Sequence, residues 1–235
     1  MNRRTLVPLT ALLFLLGASS VALMAGAAGP DAPGRFALAS IRIEQNVTDR
    51  DVEIVIEAKG GEDGLAKFTV VSPDGRTLIE VSAPDASTLG MRQFRFESPE
   101  PKNIESLKSA YPEGVYRFSG VSAAGAELQG EARLSHRLPG PAALARPRPD
   151  ARNVPINSLE IAWSRVENLA AHVVYVEQPD LGVEITARVA GSATSFAVPD
   201  GFLVAGTEYQ VGLGTVTAEG NMSFVETTIR TAEKE

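Results

Sequence analysis

Short runs in which apolar and polar residues alternate recur from about residue 36 to the end of the chain. In the clearest run, Ile54 and Ile56 alternate with Glu53 and Glu57. A period of two places successive side chains on opposite faces of a β-strand. The run therefore predicts a half-buried antiparallel strand with one apolar face and one mostly charged face.

Turn residues separate these runs in the first half of the chain. The tetrapeptide Ser-Pro-Asp-Gly at 72–75 supplies the fixed φ of proline and the permissive φ of glycine that a hairpin turn needs. Further elements predicted on similar grounds are a strand at 92–96, a hairpin over 115–134 and one or two helical turns at 103–110. Six or seven short strands in about 100 residues predict a β-sandwich over residues 36–137.

The second half of the chain repeats this spacing. Leu159, Ile161 and Trp163 alternate with polar or small residues, which places the only indole inward, where it can bury a large apolar area. Further strands are predicted at 171–177, 183–189, 195–198, 208–215 and 223–230. These elements predict a second sandwich over residues 151–235.

Four prolines and a glycine lie between the two sets of strands, at residues 138–150. Prolines favour an extended, semi-rigid connection, so this stretch is predicted to be the linker and the start of the second domain. The chain is thus predicted to be all-β, with two tandem antiparallel β-sandwiches.

Residues 203–213, Leu-Val-Ala-Gly-Thr-Glu-Tyr-Gln-Val-Gly-Leu, together with Trp163 and the Gly-Asn-Met-Ser at 220–223, resemble the second half of a fibronectin type III domain. The resemblance covers about residues 143–232. It implies that Tyr209 turns its hydroxyl onto the preceding loop and pins that corner of the sandwich. It departs from the family at 146–153, where prolines and arginines predict a short or irregular first strand.

The first domain resembles immunoglobulin-like bacterial envelope domains in general, and the resemblance does not indicate one particular family. Tyr116, ahead of the apparent sixth strand, is a weaker version of the same corner. Domains of both kinds imply an extracytoplasmic setting, where they serve as spacers, adhesins or appendages of enzymes.

The N-terminus predicts export. Arg3 and Arg4 precede an apolar run at 6–24, and small residues at 25–28 follow it, which is the organisation of a secretory signal peptide. Cleavage is expected after Ala27, with residues 28–35 as a flexible N-terminus and no membrane span remaining. The alternative is an uncleaved anchor, since about 20 apolar residues can cross a bilayer. The mature protein is expected in the periplasm or outside the cell.

Charge and cysteine content narrow the classes of partner. The chain has a formal net charge of -7, which argues against sequence-independent binding of nucleic acid, because that requires a basic surface. It contains no cysteine, so disulfides and lipid attachment to cysteine are excluded, and packing alone must hold both domains.

Residues with catalytic or metal-binding chemistry are sparse. His136 and His172 are the only histidines, and neither has a second zinc ligand at a suitable spacing. Ser122 misses the Gly-x-Ser-x-Gly nucleophile motif by one position and lies on a predicted hairpin. No acidic residue has apolar sequence neighbours that would raise its pKa. The sequence therefore predicts no enzyme activity, no cofactor and no metal.

Two further patterns are interpreted as turns. Loops at 49–51 and 60–64 offer oxygen ligands for calcium but lack the Asp-x-Asp-x-Asp-Gly order. Asn46 and Asn221 begin formal glycosylation acceptor sequences. Both loops are interpreted as solvated turns, and both asparagines as turn residues.

A basic stretch crosses the domain junction of this otherwise acidic chain. Neighbouring arginines focus electrostatic potential, so the stretch could bind an anionic glycan, a lipid head group or an acidic protein. Alternatively, the arginines pair with acids of the two flanking domains and fix the angle between them. The stretch consists of Arg133, Arg137, Arg146, Arg148 and Arg152.

These observations predict an exported, non-enzymatic interaction or scaffold protein that presents two sandwiches to an envelope or extracellular protein. The alternative is a carbohydrate-binding protein, or an accessory module acting on envelope polysaccharide, in which exposed aromatic side chains stack on sugar rings. Aromatic residues make up only 6% of the chain, and alternation points most of them inward.

Overall fold

The computed structural model describes residues 33–83 and 91–233. The predicted signal peptide at 1–27, its cleavage site and most of the 28–35 stretch lie outside the described residues. The first domain contains β1 (Gly34–Arg35), β2 (Leu38–Asn46), β3 (Asp51–Lys59), β4 (Leu65–Val71), β5 (Thr77–Ser82), β6 (Gln93–Glu97), α1 (Ile104–Ala110), β7 (Gly114–Ser122) and β8 (Glu127–Leu134).

The second domain continues the same series. It contains β9 (Leu144–Arg146), β10 (Glu160–Trp163), β11 (Ala171–Gln178), a 3₁₀ turn (Pro179–Leu181), β12 (Val183–Ala190), β13 (Ser195–Ala197), β14 (Glu208–Val216) and β15 (Met222–Arg230). Residues 138–150, predicted to be the linker and the start of this domain, include the three-residue strand β9. Ala142, which precedes β9, already belongs to the core of the second domain.

Both domains have the same plan of two packed sheets. In the first domain, the sheet β1-β8-β7-β4-β5 packs on β2-β3-β6, and in the second, β12-β11-β14-β15 packs on β13-β10-β9. Strands β2 to β8 therefore correspond in order to β9 to β15. The predicted fold class, two tandem all-β sandwiches, is confirmed.

Each sandwich has its own apolar core. In the first, the Phe68 ring stacks on Phe94 and Phe96, with centroids 5.6 and 6.2 Å apart. In the second, the Trp163 side chain lies inward with only 4% of the residue exposed, and its indole N–H donates to the carbonyl of Ala193 at 3.1 Å. Burying these aromatics supplies much of the apolar area that a cysteine-free domain needs.

In each domain, a tyrosine near the start of the sixth corresponding strand, β7 in the first domain and β14 in the second, anchors a loop. The Tyr209 hydroxyl accepts the Val204 N–H at 2.9 Å and donates to the Phe202 carbonyl at 3.4 Å. The Tyr116 hydroxyl donates to the Pro112 carbonyl at 2.9 Å, and burial raises the pKa of Tyr116. Each hydroxyl thereby satisfies a backbone group in the loop that leads into its strand.

One strand joins the two sandwiches. Strand β2, which is not among the strands predicted from the sequence, pairs in parallel with β15, with Met222 opposite Glu44 and Phe224 opposite Asn46. The resulting seven-stranded sheet has the order β12-β11-β14-β15-β2-β3-β6. The two domains are therefore hydrogen-bonded to each other through their backbones as well as connected by the linker.

Both faces of this shared sheet are covered along β11 and β3. In β11, the neighbours Val173 and Val174 point to opposite faces, and both are fully buried. In β3, Val55 is fully buried and Glu57 is only 7% exposed. The prediction that β3 is half-buried was therefore wrong, because the sequence pattern did not account for what covers its charged face.

Candidate interaction site at the domain junction

Asn221 connects the two domains through its side chain. It lies in the turn between β14 and β15 and is only 1% exposed. Its Oδ1 accepts the backbone N–H of Ile43, and its Nδ2 donates to the carbonyls of Ser135 and Arg137, each at 2.9 Å. The amide thus satisfies three backbone groups of the first domain, a role that its interpretation as a turn residue did not predict.

A second hydrogen-bonded group crosses the same boundary. The Asn46 side chain accepts the N–H of Thr48 at 3.0 Å and donates to Glu226 Oε2 at 2.9 Å. Glu226 also accepts hydrogen bonds from the Tyr175 hydroxyl and from Gln210. Burial, and then the negative charge of Glu226, raises the pKa of Tyr175. Both asparagines of the formal glycosylation sequences therefore hold the junction together.

A ladder of charges, of which Arg42, Glu44 and Glu57 are buried, covers the outer face of β2, β3 and β6. We call this set the charge ladder, and it consists of Arg42, Glu44, Glu53, Glu57, Arg95 and Glu97. Arg42 donates to Glu44 at 2.7 Å and also to Glu57. Arg95 donates to Glu97 at 2.6 Å and lies 3.4 and 3.6 Å from Glu44 and Glu57.

Sharing of carboxylates between arginines makes the charge ladder a network instead of a set of surface pairs. Glu44 and Glu57 each contact both Arg42 and Arg95, and the side chains of Arg42, Glu44 and Glu57 are at most 9% exposed. Removing one partner from such a buried network leaves an uncompensated charge, which is strongly destabilising.

Glu53 is the acid with the most unusual environment on the ladder. Burial, followed by repulsion from Glu97 and Glu44, raises its pKa to about 7. The sequence neighbours of the acidic residues predict no raised pKa. That interpretation was wrong because the burial comes from the folded shape of the shared sheet, which sequence neighbours do not reveal.

The five junction arginines lie in different structural settings. Arg137 donates to Glu219 of the β14–β15 turn at 2.7 Å and so links the first domain's end to the second domain. Arg146 bonds to Glu160 at 3.1 Å within the second domain. Of the two interpretations left open by the sequence, these contacts correspond to pairing with acids of the flanking domains.

The other three arginines, Arg133, Arg148 and Arg152, have exposed side chains. Arg133 lies on β8 opposite Val115, whereas the other two follow β9. No ion pair joins these three to an acid in the described part of the chain.

The segment after β9 runs along the edge of β15. The N–H of Asp150 donates to Thr227 Oγ1 at 3.0 Å, and the N–H of Arg230 donates to the carbonyl of Ala151 at 2.8 Å. Val154 forms a parallel bridge with Thr231. Since β2 covers the beginning of β15, the exposed edge of this strand is occupied at both ends.

The histidines and Ser122 have local contacts. The His136 ring lies 2.7 Å from the carbonyl of Tyr111. His172 is fully buried beside Trp163, with ring centroids 5.2 Å apart, and burial lowers its pKa. Ser122 Oγ accepts the N–H of Ala126 at 3.1 Å in the β7–β8 turn. Within the described residues, no three His, Cys, Asp or Glu side chains form a group able to hold a metal ion.

Within residues 33–83 and 91–233, no helix has the length and apolar character needed to cross a bilayer.

Comparison with solved structures relates the whole two-domain unit to fibronectin type III modules. The fibronectin(III)-like modules of CbhA from Clostridium thermocellum are 9% identical, with a TM-score of 0.35 and coverage of 83% of this chain and 95% of that one. A two-domain fibronectin type III segment of chicken tenascin is 15% identical, with a TM-score of 0.32 and coverage of 86% and 100%. The chicken CNTN1 FN1–FN3 domains are 14% identical, with a TM-score of 0.32 and coverage of 86% and 67%.

The expected resemblance to fibronectin type III modules is thus found among solved structures, while the fold itself is established by the strand pairing described above. No family model matches the chain. No curated protein matches it either.

Proposed function

We propose that this protein is an exported, non-enzymatic scaffold that holds two β-sandwiches at a fixed angle for binding to an envelope or extracellular protein. The observation that carries the proposal is the shared seven-stranded sheet. Domains joined only by a linker and a small polar interface usually move relative to each other. Here a backbone ladder, the Asn221 amide and the Arg137–Glu219 ion pair all cross the junction.

The buried side chains at the junction support a structural role for most of its polar groups. The carboxylates of Glu44, Glu57 and Glu226 each have hydrogen-bond or ion-pair partners in the chain. Groups that are already paired hold the domains, whereas unpaired exposed groups are free to bind. This distinction assigns partner contacts to Arg133, Arg148 and Arg152, which would meet acidic groups of the partner.

Aromatic exposure favours a protein partner over a polysaccharide. Sugar recognition on a sheet face uses exposed aromatic rings, yet across residues 33–83 and 91–233 every aromatic side chain is buried or only partly exposed. The large apolar residues that are exposed there are Met91, Leu181 and Val204. Aliphatic side chains of this kind suit a protein surface better than a sugar ring.

The test is co-sedimentation of the purified chain from Ala28 onward with the insoluble envelope fraction of its own cell. Saturable binding that disappears after protease treatment of that fraction supports the proposal. Binding that survives protease favours polysaccharide or lipid instead. Absence of sedimentation in both cases contradicts the scaffold proposal and the polysaccharide alternative.

Charge-reversal variants locate the contact. The triple variant Arg133→Glu, Arg148→Glu and Arg152→Glu is expected to lose most of the protease-sensitive binding. The matched control is the triple variant Arg35→Glu, Arg117→Glu and Arg165→Glu, which makes the same change in net charge at exposed arginines elsewhere. Equal loss in the two variants would show a general effect of charge and would remove the assignment to the junction.

A further inference from the structure

The shared sheet ends in a long and regular edge strand. Strand β12 pairs with β11 over eight consecutive residue pairs without a bulge, and its other edge has no strand beside it within the described residues. Natural edge strands avoid association by being short, bulged, or interrupted by proline or lysine. β12 has the sequence Val-Glu-Ile-Thr-Ala-Arg-Val-Ala, without bulge, proline or lysine, and its protection consists of the charges of Glu184 and Arg188.

The other sheet edges are shorter or less regular. β13 and β9 have three residues each, and β6 has five. β5 has six residues, and its pairing with β4 contains a register shift near Val70. Among the described strands, β12 is therefore the longest regular edge that remains open for β-sheet extension.

The charges on the outer face of β12 lie beside charges of the same sign. Glu184 is directly opposite Glu177 on β11, and burial followed by the charges of Glu184 and Glu226 raises the pKa of Glu177. At the other end of the strand, Arg188 is exposed, lies opposite Val173 and is affected by the charge of Arg42. Like charges placed opposite each other destabilise a sheet, so Glu184 would gain from a partner of opposite charge, and Arg188 of a second copy can supply that charge.

We propose that β12 pairs with β12 of a second copy of this chain, antiparallel about a twofold axis at Thr186, to form a homodimer with a continuous sheet. In this register Glu184 of each copy lies opposite Arg188 of the other, so two ion pairs form by symmetry. On the opposite face, Val183 meets Val189 and Ile185 meets Ala187. The interface is self-complementary, as a closed twofold dimer requires.

The charge pattern selects this arrangement over a parallel one. In-register parallel pairing would place Glu184 opposite Glu184 and Arg188 opposite Arg188, which repeats the repulsion already present in the single chain. Antiparallel pairing centred on any residue other than Thr186 would separate Glu184 from Arg188. The sequence of β12 therefore specifies both direction and register.

The first test measures the oligomeric state of the chain from Ala28 onward by sedimentation velocity across a wide range of concentration. The wild-type protein is expected to dimerise reversibly. Glu184→Arg alone and Arg188→Glu alone each convert both ion pairs into like-charge pairs, and each is expected to weaken the dimer about tenfold. The double variant restores complementarity and is expected to dimerise as the wild type does.

Mixing the two single variants provides an internal control. One variant then presents only positive charges on β12 and the other only negative charges, so a heterodimer is expected to form more tightly than either homodimer. Thermal unfolding of each variant verifies that it is folded. A monomeric wild type, or single variants that dimerise as strongly as the wild type, would overturn the proposal.

The second test uses the absence of cysteine from the chain. Thr186→Cys would place two sulfurs at the twofold axis, where opposite Cα atoms lie about 4.5 to 5.5 Å apart, a separation that a disulfide can bridge. Mild oxidation is expected to link this variant into covalent dimers. Ser119→Cys is the control, because Ser119 is exposed on the interior strand β7, and equal cross-linking of the two variants would contradict β12 pairing.

Both tests use the pure protein without an envelope partner. Failure to dimerise would therefore contradict the β12 interface. It would not bear on the scaffold proposal, which the co-sedimentation experiment tests.

Discussion

At the scale of single residues, Asn221 and Glu53 differ most from what their sequence neighbours suggest. Asn221 follows Gly220, whose φ is +98°, so its position in a turn is readable from the sequence. The backbone groups that it satisfies belong to Ile43, Ser135 and Arg137, which are distant in sequence. A local pattern cannot encode such contacts, because they arise only when both domains have folded.

Asn221→Ala is expected to destabilise the protein by about 2–4 kcal/mol, because it leaves several buried backbone groups without hydrogen bonds. Urea denaturation measures the change in the free energy of unfolding. Asn157→Ala is the matched control, since Asn157 is exposed. A loss for Asn221→Ala no larger than that of the control would contradict the role assigned to this amide.

Glu53→Gln is expected to stabilise the protein at high pH. The folded-state pKa of Glu53 is raised to about 7 from an ordinary value of 4.5, so between these values the folded state holds a proton that the unfolded state has released. Stability therefore falls as pH rises through this window, and the full loss is present above about pH 7. Because Glu53 is partly exposed, solvent screening limits the expected gain to about 1 kcal/mol at pH 8.

The measurement for Glu53 is the free energy of unfolding as a function of pH. The wild type and Glu53→Gln should converge near pH 4, where the carboxyl is protonated in both states. Glu127→Gln, at an exposed position on β8, should show no gain that grows with pH. A constant difference between Glu53→Gln and the wild type at every pH would mean that the carboxylate's ionisation is not the cause.

At the scale of secondary-structure elements, the charge ladder behaves as part of the core although its residues are polar. Its arginines and glutamates lie on the face of β2, β3 and β6 that alternation marks as solvent-exposed. The covering of this face turns surface ion pairs into buried ones, whose loss is far more costly. Both faces of these strands therefore contribute to the stability of the protein.

Arg42→Met is expected to cost about 3 kcal/mol, because it removes a cation from two buried carboxylates. Arg117→Met is the matched control, since Arg117 and Glu131 form an exposed cross-strand pair at 3.7 Å, and it should cost less than about 1 kcal/mol. Denaturant unfolding of both variants gives the comparison. Similar losses would show that the ladder is solvated.

Individual strands were predictable from the sequence, because alternation and turn residues act over a few neighbouring positions. Strand β2 also carries the pattern, with Ile41 and Ile43 buried and Arg42 and Glu44 on the other face, but it was not identified. Its pairing with β15 joins residues 178 positions apart, as the Ile43–Asn221 hydrogen bond does. Contacts at that separation follow from how two finished domains fit together, so composition and periodicity cannot reveal them.

At the scale of the whole molecule, the shared sheet should make the two domains unfold together. Calorimetry of the wild-type chain is expected to show one transition, with equal calorimetric and van't Hoff enthalpies, because neither half can open without breaking the β2–β15 ladder. Asn221→Ala should separate this into two transitions by weakening the junction. Two well-separated transitions in the wild type would mean that the domains are independent.

The placement of β2 and β15 also has a consequence for biosynthesis. β2 leaves the ribosome long before β15, so the first domain passes through a stage in which the edge of β2 is unpaired and the Ile43 amide has no acceptor. An open strand edge at that stage is a site for mispairing with other nascent chains. β15 therefore completes the sheets of both domains at once, and a chain arrested before β15 would keep the edge of β2 open.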